Sequence, residues 1–308
     1  MEDARPLSLD RSWQEGFNSD QVLIEPLYAV DEPLRRFGGR CLALRNVLTS
    51  QECTHLIKEM TSQGCPEPVG YRSDYRRNDR CVFLTEELAG LLWHRIEEVV
   101  KTLIIEVDAR EPSQQHLKGQ EPGDCPHELR IGHGYEGLWE PIGLNECMRF
   151  CRYNPGGFFR AHCDGRFQRS DDEMSLFTCM FYLDGAMEGG STRFLRINTE
   201  LNDQNYLKPA QESDVLASIR PEAGLCLLFF QPGLLHEGEE LRAGVKHILR
   251  TEVMFRRQVG TAPERSPQER KAWSLAKEAE AISDSEPRRA CELFRRAFKL
   301  DPKLESQF

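Results

Sequence analysis

The sequence predicts a mainly β protein with flanking helices, of the α+β class, that ends in a small helical hairpin. Three observations predict it. Between residues 147 and 255, seven short β-type segments follow one another, most of them separated by turns such as NPGG, MEGG and QPG. Ahead of them lie two stretches with apolar residues at helical spacing. Behind them, residues 268–304 return to helical periodicity after a linker containing Pro263 and Pro267. Many short strands punctuated by Gly and Pro argue for a β-sandwich or a barrel-like jelly roll.

In chain order, residues 1–38 read as a partly irregular lead-in. Arg40–Val47 reads as a strand. Thr49 can cap the next helix, and Glu52 at its third position completes a capping box. Leu56, Ile57 and Met60 give that helix its apolar face. A second helix is expected from Glu86 to Glu106, where Leu88, Leu91, Leu92, Ile96, Val99 and Val100 recur. Residues 109–145, rich in Gly, Pro and His, read as a long irregular connection. Strands are expected at Cys147–Tyr153, Phe158–Cys163, Leu176–Leu183, Ser191–Leu195, Asp214–Ile219, Leu225–Phe230 and His247–Phe255. One domain therefore spans 39–257, a linker 258–267, and a helical hairpin 268–308. In its second helix, Ala290, Phe294, Ala297 and Pro302 sit at the small–aromatic–small–proline spacing of a tetratricopeptide repeat. The hairpin is either a single repeat of that kind or an ordinary amphipathic pair. One repeat cannot bury its own face, so these helices are expected to pack on the β domain or on a protein partner.

The net charge of −10 counts against a general nucleic-acid binder, whose phosphate contacts need surplus Lys and Arg. The 11 cysteines are irregularly spaced and form no CxxC pair, which speaks against a zinc ribbon or a thioredoxin-type motif. The first twenty residues are polar without an apolar core, and no apolar run approaches the ~18–20 residues of a membrane span. A cytoplasmic or nuclear protein with reduced thiols and no membrane partner is expected.

The chemistry centres on His162-Cys163-Asp164 and the distant His236. Residues i and i+2 of a strand point to one face, so His162 and Asp164 can aim an imidazole and a carboxylate at one ion. His236 follows an apolar strand (LCLLFF) and a QPG turn, and can close the triangle. Two His and one carboxylate on one face of an ion leave positions open, as in the facial triad of non-haem Fe(II) oxygenases. Zinc accepts the same ligands, which leaves a hydrolase as an alternative. Lys246 and Arg250 share a strand face ten and fourteen residues after His236. A cation inside a barrel is costly unless an anion accompanies it; the plainer reading of either cation alone is a solvated strand face.

The stretches CRYNPGGFFRAHCDG, FTCMFYLDGAMEGGSTRF, PEAGLCLLFF and HEGEELRAGVKHILRTEVMF resemble the prolyl 4-hydroxylase family of Fe(II)/2-oxoglutarate-dependent dioxygenases. The resemblance covers roughly residues 145–256, and LRNVLTSQECTHLIKEM extends it weakly to about residue 40. It implies a jelly roll of the double-stranded β-helix type, with Fe(II) held at the catalytic centre by His162, Asp164 and His236. It implies that Lys246 pairs with the distal carboxylate of 2-oxoglutarate, with Arg250 as a second candidate anchor. Tyr153 and Tyr182 match tyrosines near that carboxylate, Thr178 matches a small polar residue of the same pocket, and Gly189, Gly190 and Thr192 match a structural turn. The implied reaction consumes O2 and 2-oxoglutarate, hydroxylates a protein side chain (prolyl above all) or a small molecule, and releases succinate and CO2. Ascorbate is the expected accessory reductant. In related proteins, loops corresponding to the arginine-rich YRSDYRRNDR and to the surroundings of the metal motif lie over the pocket mouth. Arg76, Arg77, Arg80 and Arg166 are therefore expected to recognise an acidic or phosphorylated substrate; the alternative is a solvated loop paired with Asp74 and Asp79. Two further readings stay open. One is a catalytically silent interaction protein working through its C-terminal helices. The other is a nucleic-acid demethylase of the wider superfamily, against which the acidic charge counts.

Overall fold

The computed structural model describes residues 21–26, 41–63, 67–68, 70–103, 105–107, 135–196, 207–231, 234–262 and 264–306. In chain order its elements are β1 (Leu23–Pro26), β2 (Cys41–Arg45), α1 (Ser50–Gln63), β3 (Glu67–Pro68), β4 (Arg76–Arg77), β5 (Asp79–Leu84), α2 (Glu86–Val100), β6 (Ile105–Val107), β7 (Gly137–Leu144), β8 (Cys147–Tyr153), β9 (Phe158–His162), β10 (Gln168–Ser170), β11 (Glu173–Tyr182), β12 (Glu188–Gly189), β13 (Thr192–Leu195), β14 (Val215–Ile219), β15 (Cys226–Phe230), β16 (His236–Gly238), β17 (Leu241–Ala243), β18 (Lys246–Arg257), α3 (Pro267–Ile282) and α4 (Pro287–Leu300). Among the described residues no helix is long and apolar enough to cross a membrane.

Two compact units divide the chain, at Phe255 on the C-terminal side. The first contains the described residues up to Leu103 and those from Pro141 to Phe255. It is a jelly roll of two antiparallel sheets. The larger runs β1-β2-β15-β11-β18-β8-β5-β3, and the smaller runs β14-β13-β16-β9-β4. Central strands β11 and β15 have both faces covered: β15 is a continuous apolar run buried throughout, and β11 is buried at every residue after Glu173. Tyr182, Phe150, Phe177, Phe181, Phe194, Phe229 and Phe255 supply the largest fully buried side chains of this core.

The sequence also explains the helices of this unit. Thr49 and Glu52 form the expected capping box, with the Thr49 amide donating to Glu52 Oε2 at 2.7 Å and the Glu52 amide to Thr49 Oγ1 at 3.2 Å. Thr85 caps α2 by accepting from the Leu88 amide at 3.2 Å. The two helices are tied by Arg95, which donates to Glu52 Oε1 at 2.6 Å and to the Val47 carbonyl at 2.9 Å.

Three expectations need correction. The second helix ends at Val100, not Glu106, because the Leu103 amide donates back to Val100 O and the Thr102 hydroxyl to Val99 O, closing the last turn; β-branched Ile105 and Val107 then join a strand. The connection expected over 109–145 contains strand β7, whose Gly and Pro disguised it; its residues 109–134 lie outside the described residues, as do those of the lead-in other than 21–26. The arginine-rich stretch expected to be a loop holds strands β4 and β5.

The second unit contains β6, the segment Tyr135–Glu140, and the chain from Arg256 onward. Ser266 and Glu269 cap α3 reciprocally. Ala279, Ala290 and Leu293 form the buried seam between α3 and α4, with Phe294 packed beside it. Trp273 meets the Tyr135 ring edge-on at 5.4 Å between centroids.

Candidate metal centre and its cavity

His162 ends β9 and His236 begins β16, and the two residues are direct partners in the antiparallel register of those strands. Asp164 follows His162 by two residues. The carboxylate lies between the rings: His162 Nε2 is 3.7 Å from Asp164 Oδ1, and His236 Nε2 is 3.7 Å from Asp164 Oδ2. One ligand atom from each residue lies within 4.8 Å of the others. Around an octahedral ion with bonds of about 2.1 Å, neighbouring ligands stand about 3 Å apart, so small side-chain adjustments bring all three onto one face of a metal.

Both imidazoles are oriented by the backbone two residues before them. His162 Nδ1 is 2.7 Å from the Arg160 carbonyl and His236 Nδ1 is 2.9 Å from the Leu234 carbonyl. A carbonyl only accepts, so each Nδ1 carries the proton and each Nε2 presents its lone pair. Burial lowers the pKa of both rings, that of His162 most strongly, with the neighbouring imidazole adding to the effect there. Both are therefore neutral and ready to ligate. Burial alone would raise the Asp164 carboxyl, but the Arg250 guanidinium, with the Thr178 hydroxyl donating to it, overcomes this and holds the group well below the usual carboxylate range. Arg250 pairs with Asp164 Oδ1 at 2.9 Å, and the Thr178 hydroxyl donates to Oδ2 at 2.6 Å.

This triangle opens into a cavity between the two sheets. Phe159, Met180, Phe229 and Ile248 give it apolar walls, and Arg76, Arg149, Lys246 and Arg250 project charge into it. Lys246 and Arg250 share the face expected from strand alternation. Their surroundings differ. Arg250 is held by Asp164, whereas Lys246 has no ion pair among the described residues. Its Nζ donates to the Gly190 carbonyl at 2.5 Å and lies over the rings of Tyr153 and Tyr182 at 5.2 and 5.4 Å. Lys246 is 3% exposed, and burial pulls its pKa down to about 8. Gly190 adopts φ +75°, and a Cβ there would press on Leu241 and on the Lys246 stem.

The structure brings most of the candidate residues together. His162, Asp164, His236, Tyr153, Thr178, Lys246, Arg250 and Arg76 all line the cavity. Tyr182 lies behind it, its buried hydroxyl donating to Thr192 Oγ1 at 2.6 Å. Burial raises the pKa of the Tyr153 phenol to about 12. Arg77 lines an adjoining groove, together with Arg76. Arg80 and Arg166 line neither space; the Arg166 guanidinium donates to Met174 Sδ at 3.5 Å. Of the expected pairings of the arginine-rich stretch, Arg72 does pair with Asp74, at 2.7 Å, but Asp79 pairs with Arg152 at 2.9 Å. Among the lining residues that the sequence analysis did not single out are Arg149, Cys151 and Glu237. Arg149 and Cys151 alternate with Tyr153 along β8, a periodicity that places those three on one face. Arg149 is neutralised by Glu252 at 2.5 Å.

Residues 148–251 match the family model described as 2OG-Fe(II) oxygenase superfamily. No curated protein matches the chain. Among solved structures, the chain is similar to a viral collagen prolyl hydroxylase of Paramecium Bursaria Chlorella virus-1 in complex with 2OG, at 17% identity and a TM-score of 0.38, covering 70% of this chain and 96% of that one. It is similar to a prolyl-4-hydroxylase of Pseudomonas putida, at 16% identity and a TM-score of 0.40, covering 76% and 100%. It is also similar to a Trichoplax adhaerens prolyl hydroxylase in complex with a peptide fragment of the hypoxia inducible factor oxygen degradation domain, at 14% identity and a TM-score of 0.43, covering 79% and 93%. The stretch similar to the 2OG-Fe(II) oxygenase superfamily model runs from β8 to β18 and contains His162, Asp164, His236, Lys246 and Arg250.

Proposed function

We propose that the protein is a dioxygenase that holds Fe(II) through His162, Asp164 and His236 and uses 2-oxoglutarate as co-substrate. The observation that carries this reading is a buried lysine that has no counter-anion among the described residues and shares a cavity with the His–Asp–His triangle. Burying an ammonium is costly, and a carboxylate arriving with a ligand offsets that cost. The distal carboxylate of 2-oxoglutarate is assigned to Lys246 rather than Arg250, because Arg250 is already engaged by Asp164. Tyr153 shields that carboxylate from water, and Gly190 O and the two tyrosine rings hold the ammonium in place. Thr178 and Arg250 fix the Asp164 carboxylate so that one oxygen is turned to the metal.

When bound, the iron supplies oxidative decarboxylation of 2-oxoglutarate by O2, which puts one oxygen atom into succinate and the other into a substrate C–H bond, with release of CO2. The substrate class is a protein side chain, prolyl among them, or a small molecule. Ascorbate is the accessory reductant of this reading.

The test is anaerobic absorbance of the full chain after adding Fe(II) and then 2-oxoglutarate. Chelation of 2-oxoglutarate produces a weak visible charge-transfer band. The expected result is a band that is lost in His162→Ala and weakened in Lys246→Ala. A folded, monodisperse protein that gives no band refutes the reading.

A further inference from the structure

We propose that the substrate is a polypeptide, anchored as an added strand on the open edge of β5 along Val82–Leu84. This rests on the dioxygenase reading above and deepens it, choosing a protein over a small molecule.

Strand β5 lies near one end of the larger sheet, between β8 and the two-residue strand β3. Its register with β8 runs unbroken from Asp79↔Arg152 to Leu84↔Cys147. One step further, the Thr85 amide donates to the Glu146 carbonyl at 2.9 Å. Bonded and non-bonded pairs alternate along an antiparallel ladder, so Thr85, Phe83 and Cys81 turn their peptide groups toward β8, while Leu84, Val82 and Arg80 turn theirs outward. Arg80 meets Glu67 of β3. Among the described residues no strand pairs with Val82 or Leu84 on that side. Their N–H and C=O groups therefore stand along the edge at the two-residue repeat that another main chain matches.

The side chains point the same way. Partners in a ladder share a sheet face, so Val82 lies on the face of Arg149 and Leu84 on that of Cys147. Arg149 lines the metal cavity. Val82 and Leu84 are nevertheless 49% and 62% exposed, an aliphatic ledge on the cavity face of the sheet. Sheet edges are ordinarily blunted by Lys, Pro or a bulge, or lie under a neighbouring element, because an apolar edge recruits other chains. Val82–Leu84 carries no charge, no proline and no register shift.

A single cross-strand row joins this edge to the metal centre. Arg250, which holds Asp164 at 2.9 Å, pairs with Arg149 on β8, and Arg149 pairs with Val82 on β5. Strands stand about 4.8 Å apart, so a chain added to β5 runs about 15 Å from the Arg250 backbone. About four or five extended residues span that distance. A polypeptide held on β5 by main-chain bonds thus leaves a residue a few positions along the chain free to enter the cavity. Neither a small molecule nor a nucleic acid offers alternating amide donors and carbonyl acceptors at strand spacing.

The test is peptide selection on the full-length, metal-free chain. A displayed library of random dodecapeptides is panned on the immobilised protein, and the tightest binder is synthesised and titrated by fluorescence anisotropy. The binder is expected to tolerate N-methylation at every second residue and to lose about tenfold in affinity when the intervening residues are methylated, because only alternate amides face β5. Val82→Pro, which removes an outward amide and spares the bonds to β8, is expected to weaken it by about tenfold. Leu84→Lys keeps the main chain and charges the ledge, so it is expected to weaken the binder even if Val82→Pro does not fold. On binding, the Val82 and Leu84 amides should exchange more slowly with deuterium. The proposal is overturned if no binder emerges, if N-methylation shows no two-residue pattern, or if Leu84→Lys binds as the wild type does. It is equally overturned if sedimentation shows a wild-type dimer that Leu84→Lys dissociates, since the edge then belongs to a second copy. The titration needs neither iron nor 2-oxoglutarate, so it fails independently of the absorbance test.

Discussion

Replacing Lys246 with Met should make the metal-free protein more stable and the co-substrate site useless. The ammonium is 3% exposed, and its pKa falls from an ordinary 10.5 to about 8 because burial penalises the charged form. Between about pH 8 and 10.5 the unfolded chain holds a proton on this lysine that the folded chain has released. Stability therefore rises with pH across that window, and the penalty is fully present below it. Its size is on the order of 3 kcal/mol. Met occupies a similar volume without charge, but leaves the Gly190 carbonyl without its donor, a loss of about 1 kcal/mol. The variant should accordingly be more stable than the wild type by about 2 kcal/mol at pH 7, and less stable by about 1 kcal/mol above pH 10.5. Urea unfolding of both proteins at pH 7, 9 and 10.5 reads the difference, from which the titrations common to both cancel. In the anaerobic absorbance assay the same variant should weaken 2-oxoglutarate binding about 30-fold or more, since the carboxylate then enters the cavity unpaired. A variant that is less stable at pH 7, or a stability difference that does not change between pH 7 and 10.5, would refute the claim that Lys246 is held charged and unpaired.

Three further outcomes follow from contacts described above. Asp164→Ala removes a ligand and strands the buried Arg250, so it should abolish metal binding in calorimetry and cost about 3 kcal/mol in urea unfolding; adding Arg250→Met should restore part of that loss. Gly224 adopts φ +86°, and a Cβ there would lie 2.0 Å from the Leu48 carbonyl oxygen, so Gly224→Ala should lower stability by about 3 kcal/mol or prevent soluble expression, whereas Gly90→Ala, with open space around it, should do neither. Trp273→Ala should cost about 3 kcal/mol in thermal unfolding through lost packing against Tyr135, while Phe298→Ala on the outer part of α4 should cost less.

The metal triangle was legible because its signal is local. The two-residue spacing of His162 and Asp164 and the strand that delivers His236 are written in short segments, and strand alternation placed Lys246 and Arg250 on one face. The partners of those groups were not legible, because they depend on which strands become neighbours. That Arg250 meets Asp164 follows from the packing of the two sheets, not from the sequence around either residue. The choice between Lys246 and Arg250 as the proposed anchor stayed open in the sequence because it turns on that contact. Arg149 and Cys151 were overlooked for a different reason: the alternation through Tyr153 was present, but a charged residue in a strand reads first as solvent-facing. Strand β7 hid behind its glycines and proline, and the overlong second helix shows the reverse error, in which helical periodicity in Val99 and Val100 was carried past a turn that closes on its own hydroxyl and amide.

The donation of both imidazole Nδ1 protons to main-chain carbonyls has a consequence for how the site can change over time. The tautomer that exposes Nε2 is specified by peptide groups at positions 160 and 234, and every amino acid supplies that acceptor. Side chains at those two positions can drift without disturbing the proton arrangement of the ligands. Mutational tolerance at 160 and 234 should thus reflect only packing and surface charge, because each acceptor is a peptide group of the histidine's own segment. Selection on the tautomer therefore acts on the backbone path of each segment, and the residues that fix that path carry a constraint that no inspection of the histidines themselves would assign to them.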